Sequence, residues 1–119
     1  MIIEYETDRD CTVVEFRARF LDVGIVGDTK TELQPALSEG GRLIVDLEGI
    51  DFMDSSGAGL LLWLRRQTQA SESQLVLCGL SDQVRLVLDS LNFSRIFTIA
   101  GNRADALKGD FEGGIHEAD

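Results

Sequence analysis

Histidine and cysteine, the residues of zinc sites, redox dithiols and serine–histidine relays, are nearly absent from this chain. Among 119 residues there are one histidine, two cysteines and one proline. The histidine, His116, falls in a glycine- and acid-rich end segment, so a serine–histidine relay has no base held in a fold. Cys11 and Cys78 show no C-x-x-C spacing and have no histidine pair nearby, which excludes a tetrahedral zinc site and a redox dithiol. Each sits in an apolar stretch, before Thr12-Val13-Val14 and after Leu75-Val76-Leu77, and is expected to act as a small buried hydrophobe. No apolar run approaches the roughly 20 residues that cross a bilayer. Met1-Ile2-Ile3-Glu4-Tyr5-Glu6 lacks the basic start and long apolar stretch of a secretion signal, so a cytoplasmic location without membrane insertion is expected. Basic residues are also few: 11 against 21 acidic ones give a formal net charge of -10. That balance repels nucleic-acid phosphates and anionic lipid, leaving basic protein surfaces as the favoured partners.

What is present is an ordinary globular composition, 44% hydrophobic and 27% charged. A chain of this length buries roughly two thirds of the surface its unfolded form exposes, so one domain needs no metal or disulfide to hold it. Residues 1–108 carry all the patterned elements and form the expected domain. From Gly109 to Asp119 three glycines and four acids, with little apolar content, predict a flexible acidic tail.

Ile2 to Glu6 and Cys11 to Arg19 alternate in hydrophobicity around Asp8-Arg9-Asp10 and predict a β-hairpin. A glycine-punctuated link, Val23-Gly24-Ile25-Val26-Gly27, leads to a short helix over Thr31–Glu39, closed by Gly40-Gly41. Thr31 and Gln34 have the spacing of a capping box, which would put Pro35 early enough to lose only one backbone bond. Leu43-Ile44-Val45-Asp46-Leu47 is a near-continuous apolar run, the mark of a strand covered on both faces. A helix is predicted from Ser56 to Ala70, a turn at Ser71-Glu72-Ser73 and a second buried strand over Gln74–Gly79. Ser81 caps a helix over Asp82–Leu91 whose apolar positions 84, 87, 88 and 91 share one stripe. Ile96–Ile99 reads as a last strand and Asn102–Lys108 as a last helix. The order ββαβαβαβα predicts an α/β domain with a mixed sheet of about five strands and helices packed against it.

The most informative segment joins the first buried strand to the following helix: Asp51-Phe52-Met53-Asp54-Ser55-Ser56-Gly57-Ala58-Gly59-Leu60. It places two hydroxyls at a strand-to-helix corner, where a serine either caps the helix or is used chemically. Hydrolase chemistry does not fit, because neither Ser55 nor Ser56 stands in a G-x-S-x-G elbow. Phosphate-loop chemistry does not fit either: Gly57-Ala58-Gly59 lacks the third glycine of a dinucleotide fingerprint, and no lysine follows. Asp51 and Asp54 have no histidine nearby to complete a metal site. No catalytic residue, cofactor or metal is expected.

The same string, following its strand at this interval, resembles the phosphorylation-site motif of STAS domains, specifically the bacterial anti-sigma factor antagonists. The resemblance extends over nearly the whole chain through the order of elements. It implies a partner-switching protein that binds a serine-kinase anti-sigma factor when unmodified and is released when the kinase phosphorylates the serine after the motif aspartate. A metal-dependent serine phosphatase would reverse the step. That serine is Ser55, preceded by Asp54, and Asp22 matches the family's loop aspartate near the same surface. Two features depart from the family pattern: Arg19-Phe20 replaces the usual G-E or G-R pair before Leu-Asp, and Gly24, Gly27 and Pro35 interrupt the next helix.

Partner contact is expected at Asp22, Asp54, Ser56, Gly57, Gly59 and Leu62. One of the two serines is expected to cap the helix. Gly57 and Gly59 would allow close approach of another surface, although Gly57 equally suits packing against the domain's own sheet. Leu62 points nearly opposite Leu60, Leu61 and Leu64, with Trp63 at the boundary, so these two either meet a partner or lie under neighbouring helices. A monomer and a weak dimer both remain open. Two other functions compete: a STAS subunit of a transporter or multi-protein signalling assembly, and a small nucleotide-binding or hydrolytic enzyme.

Overall fold

The computed structural model describes residues 2–111; the expected tail beyond position 111, with His116, lies outside them. Strands β1 (Ile3–Asp8) and β2 (Cys11–Phe16) form the antiparallel hairpin, with Arg9 at φ 58° in its turn. The chain continues through β3 (Phe20–Leu21), α1 (Val23–Ser38), β4 (Arg42–Asp46), β5 (Phe52–Met53) and α2 (Ser55–Ala70). It ends with β6 (Gln74–Cys78), α3 (Asp82–Ser90), a 3-10 turn at Phe93–Arg95, β7 (Thr98–Ala100) and α4 (Arg103–Lys108). The main sheet has the order β1-β2-β4-β6-β7, parallel except for the hairpin. This is the expected mixed five-strand α/β sheet.

The apolar runs in β4 and β6 reflect their central place. On one face Leu43, Val45, Leu75 and Leu77 pack with Leu33 and Ala36 of α1, Leu60, Leu61 and Leu64 of α2, and Val84 and Leu88 of α3. On the other face Ile44, Val76, Cys78 and Ala100 pack against Ala106 of α4. Arg103 ties α4 down, donating to Asp46 Oδ2 from Nε (3.1 Å) and Nη2 (2.9 Å), with Glu15 2.8 Å away. The Glu15 hydrogen bond is foremost in holding the Arg103 guanidinium still more firmly protonated than usual. Arg42 donates to the Ala106 carbonyl (3.2 Å), where the helix dipole favours a cation.

Several boundaries differ from expectation. Helix α1 starts at Val23, not Thr31: Asp22 is extended and its carboxylate accepts the Gly24 N–H at 2.9 Å. The Thr31–Gln34 capping box is therefore not formed, and Pro35 lies in the last turn. Burial outweighs the poor helix propensity of Gly24 and Gly27, since Thr29, Leu33 and Ala36 all face the core. Thr29, buried, satisfies its hydroxyl on the Ile25 carbonyl at 2.7 Å. Strand β2 stops at Phe16, and the residues after it form the separate β3. The last strand starts at Thr98, because Phe93–Arg95 tighten into the 3-10 turn and Phe97 turns into the core.

Candidate functional site

A second, two-stranded sheet lies outside the main one. Strands β3 and β5, two residues each, pair in parallel with Phe20 opposite Phe52 and Leu21 opposite Met53. Arg19 starts the ladder: its carbonyl accepts the Asp51 N–H (2.7 Å) and its side chain donates to Asp51 Oδ2 (2.6 Å). Strand alternation sends Leu21 and Met53 into the core and leaves Phe20 and Phe52 outside. From α3, Gln83 closes the ladder's other edge. Its Oε1 accepts the Met53 N–H at 2.8 Å, and its Nε2 donates to the Met53 carbonyl at 3.1 Å.

Each strand of this ladder runs through an aspartate into a helix, so α1 and α2 begin side by side. Asp22 caps α1, as described above. Asp54, extended at φ -101° and ψ -173°, accepts the Gly57 N–H on Oδ1 at 3.1 Å and caps α2. Its own N–H donates to the Leu21 carbonyl at 3.3 Å. The cap is thus a carboxylate and neither serine fills that role, contrary to expectation. Ser55 becomes the first helical residue and is exposed; Ser56 is half-buried.

The two motif glycines separate sharply. A Cβ on Gly57 would lie 2.4 Å from the Leu21 carbonyl oxygen and 2.5 Å from Met53 Cγ, so this glycine is needed for the domain's own packing. A Cβ on Gly59 would meet nothing within 4 Å, and Gly59 is exposed. Leu62 is half-buried, as is Trp63, which packs on the core with Lys30 Nζ 5.4 Å from its ring centroid. Asp22 and Asp54 are brought together with Ser55, Ser56 and Gly59 around the two helix starts. The residues missed from sequence are Phe20, Phe52 and Gln83. Two-residue strands carry no readable period, and the Gln83 bonds span 30 positions in sequence.

Among the described residues no group of three or more His, Cys, Asp or Glu side chains is placed to hold a metal ion, and no helix is long and apolar enough to cross a membrane. A cleft of about 560 Å³ opens at the ends of the parallel strands, lined by Asp46, Glu48, Gly79, Asn102 and Arg103. Its cation, Arg103, is already engaged by Glu15 and Asp46, so the cleft offers little to an anion. Nearby, burial first and the Asp46 charge second push the Cys78 thiol up to about 12, leaving it a protonated core residue.

Comparison with known proteins agrees with this architecture. Residues 3–106 match the family model described as the STAS domain. A STAS-domain containing protein of Pseudomonas aeruginosa is 31% identical over 87 residues, which cover 73% of this chain and 85% of that one. An anti-sigma-B factor antagonist of Staphylococcus aureus is 30% identical over 82 residues, 68% of this chain and 68% of that one. The structure of the anti-sigma factor antagonist SpoIIAA in its unphosphorylated form superposes with a TM-score of 0.71 at 26% identity, covering 90% of this chain and 96% of that one. With the matched region spanning almost every element described, this chain belongs to the STAS domain family, among relatives that include the anti-sigma factor antagonists.

Proposed function

We propose that this chain is a cytoplasmic anti-sigma factor antagonist switched by phosphorylation of Ser55. Unmodified, it binds a serine-kinase anti-sigma factor; phosphorylated, it is released; a metal-dependent serine phosphatase restores it. It catalyses nothing itself. The observation that carries this reading is the exposed Ser55 hydroxyl at the start of α2, left without a capping duty because Asp54 performs it.

A phosphate there lies at a helix N-terminus, where the dipole favours an anion by about 0.3–1 kcal/mol. The fold therefore accepts it. A closely docked partner does not, because the group adds bulk and about 1.5 to 2 negative charges where Asp22 and Asp54 already match the partner's cations, leaving the new charge without one. Release needs no refolding, only a local change of charge and bulk. Asp22, Asp54, Ser56, Gly59 and Leu62 border this contact, with Gly57 shaping it from beneath.

The test incubates the chain with each purified serine-kinase anti-sigma factor of its source organism and ATP. Mass spectrometry is expected to find one phosphate on Ser55, absent in Ser55→Ala, and size-exclusion chromatography to show the complex dissolving as it appears. Ser55→Asp is expected to weaken binding while keeping the thermal midpoint. A phosphate on another residue refutes the assignment. No modification by any kinase turns the reading toward a STAS subunit of a transporter or other assembly.

A further inference from the structure

We infer that the exposed Phe20–Phe52 pair is the anchor by which this chain selects its protein partner, a folded surface that offers the rings an apolar socket with a cationic rim. The inference rests on the binding role proposed for the Ser55 face and names what that face recognises.

The pair is a product of the β3–β5 ladder. Register sets Phe20 beside Phe52, and their rings meet edge to face with centroids 6.3 Å apart and planes at 70°. Their strand neighbours Leu21 and Met53 are fully enclosed, whereas Phe20 is 55% and Phe52 44% exposed. Val23, 76% exposed, extends the apolar surface past Asp22 to the start of α1. The same ladder delivers Asp54 and Ser55, so rings and phosphoacceptor stand on one small structural unit. Aromatic side chains ringed by polar groups are the usual centre of a protein interface.

The charges fix the kind of partner. The one cation on the ladder, Arg19, is held by Asp51, while Asp22 and Asp54 accept backbone N–H bonds. An excess of carboxylate remains beside the rings. It opposes nucleic acid, which exposed aromatics would otherwise stack. It opposes a second copy of the chain too, since two such patches would set like charges face to face. A basic protein surface is attracted. The rings then determine which partner docks, and the Ser55 ester determines whether it stays.

The experiment measures binding of wild type, Phe20→Ser, Phe52→Ser and Phe20→Leu to each purified serine-kinase anti-sigma factor of the source organism, by calorimetry at low and high salt. Thermal midpoints and sedimentation equilibrium are recorded alongside. Either serine variant is expected to weaken the wild-type affinity about tenfold or more, with a midpoint that still lies well above the temperature of the binding assay. Phe20→Leu is expected to retain most of the affinity, and rising salt to weaken it. Ser55 phosphorylation in the serine variants is expected to show a raised KM with kcat preserved. Wild-type binding that both serine variants match within about twofold overturns the inference alone. Wild type that binds no kinase overturns the proposed function and the inference with it. Self-association lost in the serine variants assigns the rings to a second copy and also overturns it.

Discussion

Replacing Gly57 by alanine forces a methyl group to within 2.4 Å of the Leu21 carbonyl oxygen and 2.5 Å of Met53 Cγ. Neither neighbour has room to yield. The Leu21 carbonyl belongs to the β3–β5 ladder and accepts the Asp54 N–H, and Met53 is fully enclosed. Overpacking of this kind costs about 1–3 kcal/mol, and contact with backbone places it near the upper end. Better helix propensity returns up to about 1 kcal/mol, leaving Gly57→Ala destabilised by about 2 kcal/mol. Gly59→Ala meets nothing within 4 Å and keeps only the propensity gain. At roughly 4 °C per kcal/mol for a domain of this size, the two midpoints move in opposite directions, by about -8 °C and +4 °C. Thermal unfolding followed by circular dichroism measures both shifts, and urea unfolding checks them, its midpoint concentration moving at constant slope. If Gly57→Ala matches wild type, or both variants shift the same way, the close packing of α2 on the ladder is wrong.

Three further outcomes follow from the geometry. Gln83→Ala strips both partners from the enclosed Met53 backbone and is expected to cost about 1–3 kcal/mol; Met53 amide exchange, read by NMR, should accelerate well beyond that of β4. Backbone N–H groups of Ile2 and Ile3 hold the Glu32 carboxyl below its ordinary value. Its folded value being the lower one, its contribution is complete above about 4.5 and disappears as pH falls through the folded value. Glu32→Gln should therefore flatten the acid limb of a stability profile, and an unchanged limb would count against the contact. Iodoacetamide at mildly alkaline pH should label half-exposed Cys11 first, because Cys78 is buried and its thiol holds its proton up to about 12; equal rates by mass spectrometry would contradict that.

Elements that bury long apolar stretches were readable before any coordinates. Leu43–Leu47 announced a central strand, and the stripe through 84, 87 and 88 announced α3. Ser81 caps that helix as predicted, accepting the Val84 N–H at 3.2 Å. Position 91 was less faithful, Leu91 being 40% exposed just past the helix end. The misreadings cluster where local signals conflict with distant ones. Gly24 and Gly27 argued against a helix that Asp22 starts and the core then sustains. The motif string locates the Ser55 corner, but either of its hydroxyls has the chemistry of a cap, and only the geometry gives that role to Asp54. Gly57 had two plausible reasons for being glycine, and only the position of Leu21 decides between them. The Phe20–Phe52 ladder is not legible in the sequence, because its strands are far apart in the chain and too short to show a pattern.

The side-by-side starts of α1 and α2 have a consequence for how a signal could be stored here. Because carboxylates at 22 and 54 already anchor both helices, an added group at 55 is a bookmark, not a structural member. Under the switching proposed for Ser55, inserting or removing it leaves the page intact, so the molecule is read and reset while both helices stay anchored.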